Sequence, residues 1–220
     1  MRKNRIKSIT VAAVSLAVVM GLTGCSGKMP MINEVEDSVL YLTKEGTVTA
    51  YLVETFDKDY YSAAELEQMI LLEIEDYNSR ANAGDETKKK VSLIDVCSPE
   101  EKNPIQGITE DTNTVTVQME YANAEEYGGY NGNTMFFGTV SKANAAGYPI
   151  KADLLSVFDG STLTKEDAQT MTDKHVLILQ EKVPVVVPYK VLYASSGVTV
   201  DKDTVIFDGT EGELAYVIMK

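Results

Sequence analysis

The chain has 220 residues, with 33 Asp+Glu against 20 Lys+Arg and a single histidine, for a formal charge of −13. This balance excludes nucleic acid as a partner, because phosphate neutralisation needs clustered Lys or Arg. One histidine also excludes a metal cluster built on several. The 44% apolar fraction is spread along the whole chain and excludes a disordered polypeptide.

The chain opens with a basic stretch, Arg2, Lys3, Arg5 and Lys7, followed by an apolar run from Ile9 to Leu22. That run is too short to span a hydrocarbon layer of about 30 Å as a lasting anchor, so it reads as a leader that is removed. It ends in Leu22-Thr23-Gly24-Cys25, which resembles the lipobox of bacterial lipoproteins. The resemblance implies cleavage before Cys25, a diacylglyceryl group on its sulfur, and a place on the extracytoplasmic face of the cell envelope. Two acyl chains hold a protein on a membrane without a second signal. Loss of residues 1 to 24 removes four basic and no acidic residues, leaving 196 residues with 16 Lys+Arg, 33 Asp+Glu and a charge of −17. Anionic headgroups should repel that domain, so the lipid is the expected membrane contact.

Residues 25 to 36 form a short tether from the lipidated cysteine, and residues 37 to 220 one extracytoplasmic domain, with room for two subdomains. Strand patterns at Ser38 to Leu42 and Thr47 to Glu54, with Gly46 between them, predict a hairpin. Ser62-Ala63-Ala64-Glu65 has capping-box spacing, and a helix is expected over about 63–80, with a stop at Asn82-Ala83-Gly84. Lys88-Lys89-Lys90 reads as a solvated run beyond it. With Leu66 at 0° and about 100° per residue, Ile70 falls near 40°, Tyr77 near 20°, Met69 near 300° and Glu73 near 340°. Glu73 is therefore expected to be a core-facing carboxylate with no local cation, and its pKa to be raised by burial.

A strand over 91–97 carries Cys97, which reads as a buried, inert thiol because no His or helix N-terminus lies nearby. A surface loop over 98–112 and an alternating strand over 114–121 follow. A helical turn over 124–127 leads into Gly128-Gly129-Tyr130-Asn131-Gly132-Asn133, and strand character resumes over 134–140. Short apolar segments follow at 154–158, 175–179, 183–187, 190–193, 204–207 and 214–219. Pro184 and Pro188 bracket Val185-Val186-Val187, which must be an edge strand or a very short one. Thr164 suits an N-cap. The class expected is α+β: a mainly antiparallel sheet with one principal amphipathic helix and short helical turns.

Chemistry is sparsely marked. His175 stands at a strand entry, no nucleophile elbow is present, and the acidic pairs Asp57/Asp59 and Asp201/Asp203 lack calcium-loop order. No catalytic residue, metal ligand or cofactor site is assigned. Tyr127, Tyr130 and Asn131 are the best binding-surface candidates, since exposed tyrosines stack on sugars or partners while Asn hydrogen-bonds. A plain helix-to-strand connection whose tyrosines cover the core edge is the competing, and favoured, reading of that segment. The lipobox, Glu54-Thr55-Phe56-Asp57-Lys58-Asp59-Tyr60-Tyr61 and Glu213-Leu214-Ala215-Tyr216-Val217-Ile218 together resemble small uncharacterised lipoproteins of anaerobic gut Firmicutes. That resemblance implies no activity. The expected function is a non-catalytic binding or assembly module with a protein or carbohydrate partner, against a surface hydrolase of envelope or dietary polymers using Asp/Glu residues.

Overall fold

Two apolar runs without polar interruption, His175–Leu179 and Ala215–Met219, set the layering, because a strand buried on both faces needs no alternation. The computed structural model describes residues 29–58, 61–81, 90–102, 113–210 and 212–220. Cys25 and the lipid attachment expected there lie outside the described residues, as does the helix stop expected at 82–84.

Among the described residues, β1 (Val39–Leu42) and β2 (Val48–Thr55) form the hairpin and α1 (Ala63–Ala81) follows it. Next come β3 (Val91–Cys97), α2 (Pro99–Lys102), β4 (Thr114–Tyr121), α3 (Ala124–Asn131), β5 (Met135–Thr139) and α4 (Val140–Ala145). The second half holds β6 (Leu154–Ser156), β7 (Thr162–Leu163), α5 (Lys165–Thr170), β8 (His175–Leu179) and β9 (Val185–Val186). It closes with β10 (Val191–Ser195), β11 (Val198–Asp201), β12 (Thr204–Phe207) and β13 (Ala215–Met219). A seven-stranded sheet runs β11-β12-β9-β1-β2-β4-β3, and a six-stranded sheet runs β5-β8-β13-β10-β6-β7. Every pairing is antiparallel except β1 with β9. The protein is an α+β fold, mainly β.

The two sheets share one core. Leu40, Ala50, Met119 and Tyr121 of the larger sheet join Leu177, Val217 and Met219 of the smaller, together with Ile70 and Ile74 of α1. The other face of the smaller sheet, with Phe136, Val176, Ile178 and Ile218, is covered by Val140 and Ala143 of α4 and Ala168 of α5. Each buried Val, Ile, Leu, Met or Phe contributes about 1.5–3 kcal/mol, and the smaller sheet carries such side chains on both faces.

Val185–Val186 is the very short strand that its flanking prolines require, two residues lying between β12 and β1. The prolines are tolerated because Pro184 offers only its carbonyl, to Leu40 N–H at 2.9 Å, and the Val187 N–H is satisfied by the Asp203 carbonyl at 2.8 Å. Glu73 is exposed, not buried. The apolar stripe of α1 includes Ile74, which sits near 80°, and excludes Met69, which is exposed, so the stripe is centred near 40° and leaves Glu73 on its shoulder. The expectation built on a buried Glu73 loses its premise.

Candidate functional site: a closed fastener and an open groove

Helix α3 begins where Asn123 Oδ1 accepts the Glu126 N–H at 2.8 Å, and ends at Gly132, whose φ of 71° is a left-handed stop. Gly128 is dictated by contact: a Cβ there would stand 2.8 Å from the Asn133 carbonyl oxygen and 2.9 Å from the Met135 nitrogen. The close approach drives Tyr127 into the core, where it is 2% exposed. Its hydroxyl donates to Glu181 Oε2 at 2.5 Å, and Asn133 Nδ2 donates to the same oxygen at 2.8 Å. Burial first, and then the Glu181 charge, push this phenol well above its ordinary pKa.

Around Tyr127 the other tyrosines pack edge to face. Tyr121 lies 4.9 Å from Tyr127 and 5.7 Å from Tyr130, and Tyr77 of α1 lies 5.3 Å from Tyr130. The Tyr77 hydroxyl donates to Glu126 Oε2 at 3.0 Å, and Lys90 Nζ reaches Glu126 Oε1 at 2.8 Å. Lys90 is therefore a partly buried ion-pair partner, not the solvated charge its place in a lysine run suggests. The Glu73 carboxylate faces Tyr130, and burial first, with that charge second, raises the phenol to about 12. Tyr77 is likewise raised to about 12, by burial and Glu126. Asn131 Nδ2 is spent on the Tyr127 carbonyl at 2.9 Å. Tyr127 and Tyr130 thus do not present free ring faces: Tyr130 ties α3 to α1 through Tyr77, Tyr127 ties it to Glu181 beyond β8, and the Asn131 bond stays within α3.

A first concavity, about 230 Å³, is lined by Ile32, Asn33, Asp95, Val96, Cys97 and Glu101. It holds two carboxylates and a thiol, the residue types of hydrolytic chemistry. Asp95 Oδ1, however, accepts the Val96 N–H at 2.9 Å, and Glu101 Oε2 accepts the Ser98 N–H at 2.8 Å. Both carboxylates are engaged in holding local backbone. Cys97 is buried and unpaired, and burial pushes its thiol up, away from the reactive thiolate. His175 sits at the start of β8 with its ring stacked on Tyr189 at 4.2 Å. Among the described residues no group of three or more His, Cys, Asp or Glu side chains is gathered as a metal site, and no helix is long and apolar enough to cross a membrane.

The second concavity is a groove of about 320 Å³ where the chain passes from β10 of one sheet to β11 of the other. Leu155, Val157, Ala194, Val198 and Val200 supply its apolar lining, with Ser156, Ser195 and Ser196 between them. Beside it, the turn after β6 carries Phe158, 61% exposed, while Leu155 is 47% and Val157 39% exposed. Lys190 Nζ lies 4.6 Å from the Phe158 ring centroid. Ser156 and Ser161 hydrogen-bond Asp159 and hold its carboxyl near 2, so the rim keeps a negative charge.

Comparison with protein-family models, curated proteins and solved structures finds no match.

The groove leaves only faint traces in the sequence, in Val198-Thr199-Val200-Asp201 between Gly197 and the Lys202-Asp203 turn and in the tip Leu155 to Phe158. A hydrophobic run marks strand character but does not reveal that three of its side chains remain uncovered.

Proposed function

We propose that this protein is a lipid-anchored, extracytoplasmic binding or assembly module without catalytic chemistry of its own. The anchoring part rests on the lipobox ending in Cys25. The observation that carries the binding part is the groove between β6 and β11, an uncovered apolar surface whose rim is polar, the pattern that marks interaction sites. Its position suits a tethered module. Pro30 accepts the Tyr51 hydroxyl at 3.0 Å, and the turn Ile32–Glu34 lies against β3 and β4, at one margin of the larger sheet. β11 is the opposite margin, six strand spacings or roughly 29 Å away, so the groove is held apart from the tethered end. The carboxylates of the first concavity are tied to backbone N–H groups, which weighs against the hydrolase reading.

The reading is tested with a photoreactive residue at Val157 of the full-length chain, irradiated in its own cells. A discrete adduct in the membrane fraction is expected, with Cys25→Ala leaving an unprocessed precursor that still carries residues 1 to 24. A wild-type chain outside the membrane fraction defeats the anchor. A membrane-held chain that yields no adduct defeats the groove as a binding surface.

A further inference from the structure

β11 is a margin strand paired on one side only, with β12. In an antiparallel pair, residues exchange hydrogen bonds at every second position and turn their N–H and C=O groups outward at the others. Gly197 accepts the Asp208 N–H at 2.7 Å, and the Lys202-Asp203 turn closes Asp201 against Thr204, with Lys202 at a φ of 56°. Positions 197, 199 and 201 therefore bond to β12, and the N–H and C=O groups of Val198 and Val200 point to the free edge. Those two residues also line the groove with their side chains. Outward backbone donors and acceptors thus sit beside a groove in which Val198 and Val200 are half-buried against the core while Leu155 and Val157 lack cover.

Resting on the binding-module reading, we propose that the free edge of β11 accepts an added strand from a partner protein. The guest is an extended segment with apolar residues at alternate positions and basic residues at its ends. Backbone pairing follows from the outward groups of Val198 and Val200, and apolar alternation follows from the strand period of two, which sends every second side chain against Leu155, Val157 and Val200. Basic ends follow from charge: exposed Asp159, Asp201 and Asp208 outnumber exposed Lys190 and Lys202 in the segments that bound the groove, on a chain whose formal charge is −13. The same charge opposes a second copy of this chain as the guest. A strand of four residues gives short pairing, so side-chain seating in the groove must supply much of the selectivity.

The test uses the full-length chain in detergent micelles with the peptide Lys-Val-Thr-Val-Thr-Val-Lys, its counterpart with Glu at both ends, and hydrogen–deuterium exchange as the readout. The basic peptide should slow exchange over residues 196–201 by ~10-fold or more at saturation, as new edge hydrogen bonds close. The acidic peptide should bind at least ~10-fold more weakly at low ionic strength. Val200→Pro removes an outward N–H that β12 does not use and should abolish the protection, while Val200→Thr keeps it. Protection appearing at β3 or β5 instead, equal binding of the acidic peptide, or full protection in Val200→Pro overturns the proposal. So does concentration-dependent self-protection of 196–201 without peptide, which would make a second copy the guest. A Val157 adduct in cells combined with failure here would leave the binding module standing and remove only strand addition.

Discussion

The tyrosine cluster around α3 and the groove beside β11 are both aromatic- or valine-rich surfaces next to acidic side chains, yet they are built to opposite ends. In the cluster the named hydroxyls, carboxylates and the Lys90 ammonium meet partners: Tyr127 meets Glu181, Tyr77 and Lys90 meet Glu126, and Tyr130 meets Glu73. In the groove, backbone groups point outward from an edge and three apolar side chains around Phe158 stay in water. Satisfied polar networks rigidify a fold, whereas uncovered edges and patches invite a partner. Residue type alone does not separate the two regions; the fate of their hydrogen-bonding groups does, with Asn133 Oδ1 the exception, a buried acceptor in the cluster that lacks a partner.

The comparison breaks most visibly at Glu181. Glu181→Ala leaves the buried Tyr127 hydroxyl and the Asn133 amide without their shared acceptor, and stability should fall by about 3 kcal/mol in chemical denaturation. A loss under about 1 kcal/mol would mean that water replaces the carboxylate and that the cluster is open. Gly128→Ala is expected to cost about 2 kcal/mol, because the added Cβ meets backbone atoms at 2.8 and 2.9 Å that cannot rotate away.

Alkaline titration sharpens the same contrast. Tyr77 and Tyr130 are raised to about 12 in the fold, against about 10 for an unfolded chain. The folded state therefore retains phenolic protons more tightly. Its advantage is complete below pH 10 and is lost as pH rises through 12, so stability should decline across that window. Tyr130→Phe should make the decline shallower, read from denaturation midpoints between pH 9 and 12. Stability that is flat or rising there contradicts the buried-phenol geometry. The smallest effect belongs to the groove: Val157→Ser and Phe158→Ser should each change stability by less than about 0.5 kcal/mol, as for other exposed positions. A loss above about 1.5 kcal/mol in either would show that the tip packs the core instead of awaiting a partner.

Much of the fold was legible because period and capping act locally. The alternation of Thr114 to Tyr121 and the apolar run of His175 to Leu179 match their strands residue for residue, and Ser62 begins α1 as its capping-box spacing requires. β11 and α4 were missed because an edge strand of four residues and a helix of six carry too little periodic signal. Glu73 falls outside the buried stripe because Met69 does too, which moves the centre of the stripe toward Ile70 and Ile74. The favoured reading of Tyr127 and Tyr130 as core-edge cover holds, but the partners that close them, Glu181 for Tyr127 and Tyr77 for Tyr130, lie 54 and 53 positions away and are not legible locally. Long-range closure of this kind leaves no mark within a local window.

Hydrogen exchange of the full-length chain, followed amide by amide without any partner, tests the central contrast most directly. The Tyr127 and Asn133 amides, bonded to the Asn123 and Gly128 carbonyls at 3.2 and 2.9 Å within the cluster, should exchange slowly, while those of Val198 and Val200 should exchange at nearly the rate of an open chain. Protected Val198 and Val200 amides beside freely exchanging Tyr127 and Asn133 would contradict the assignment of one region as fastener and the other as open edge.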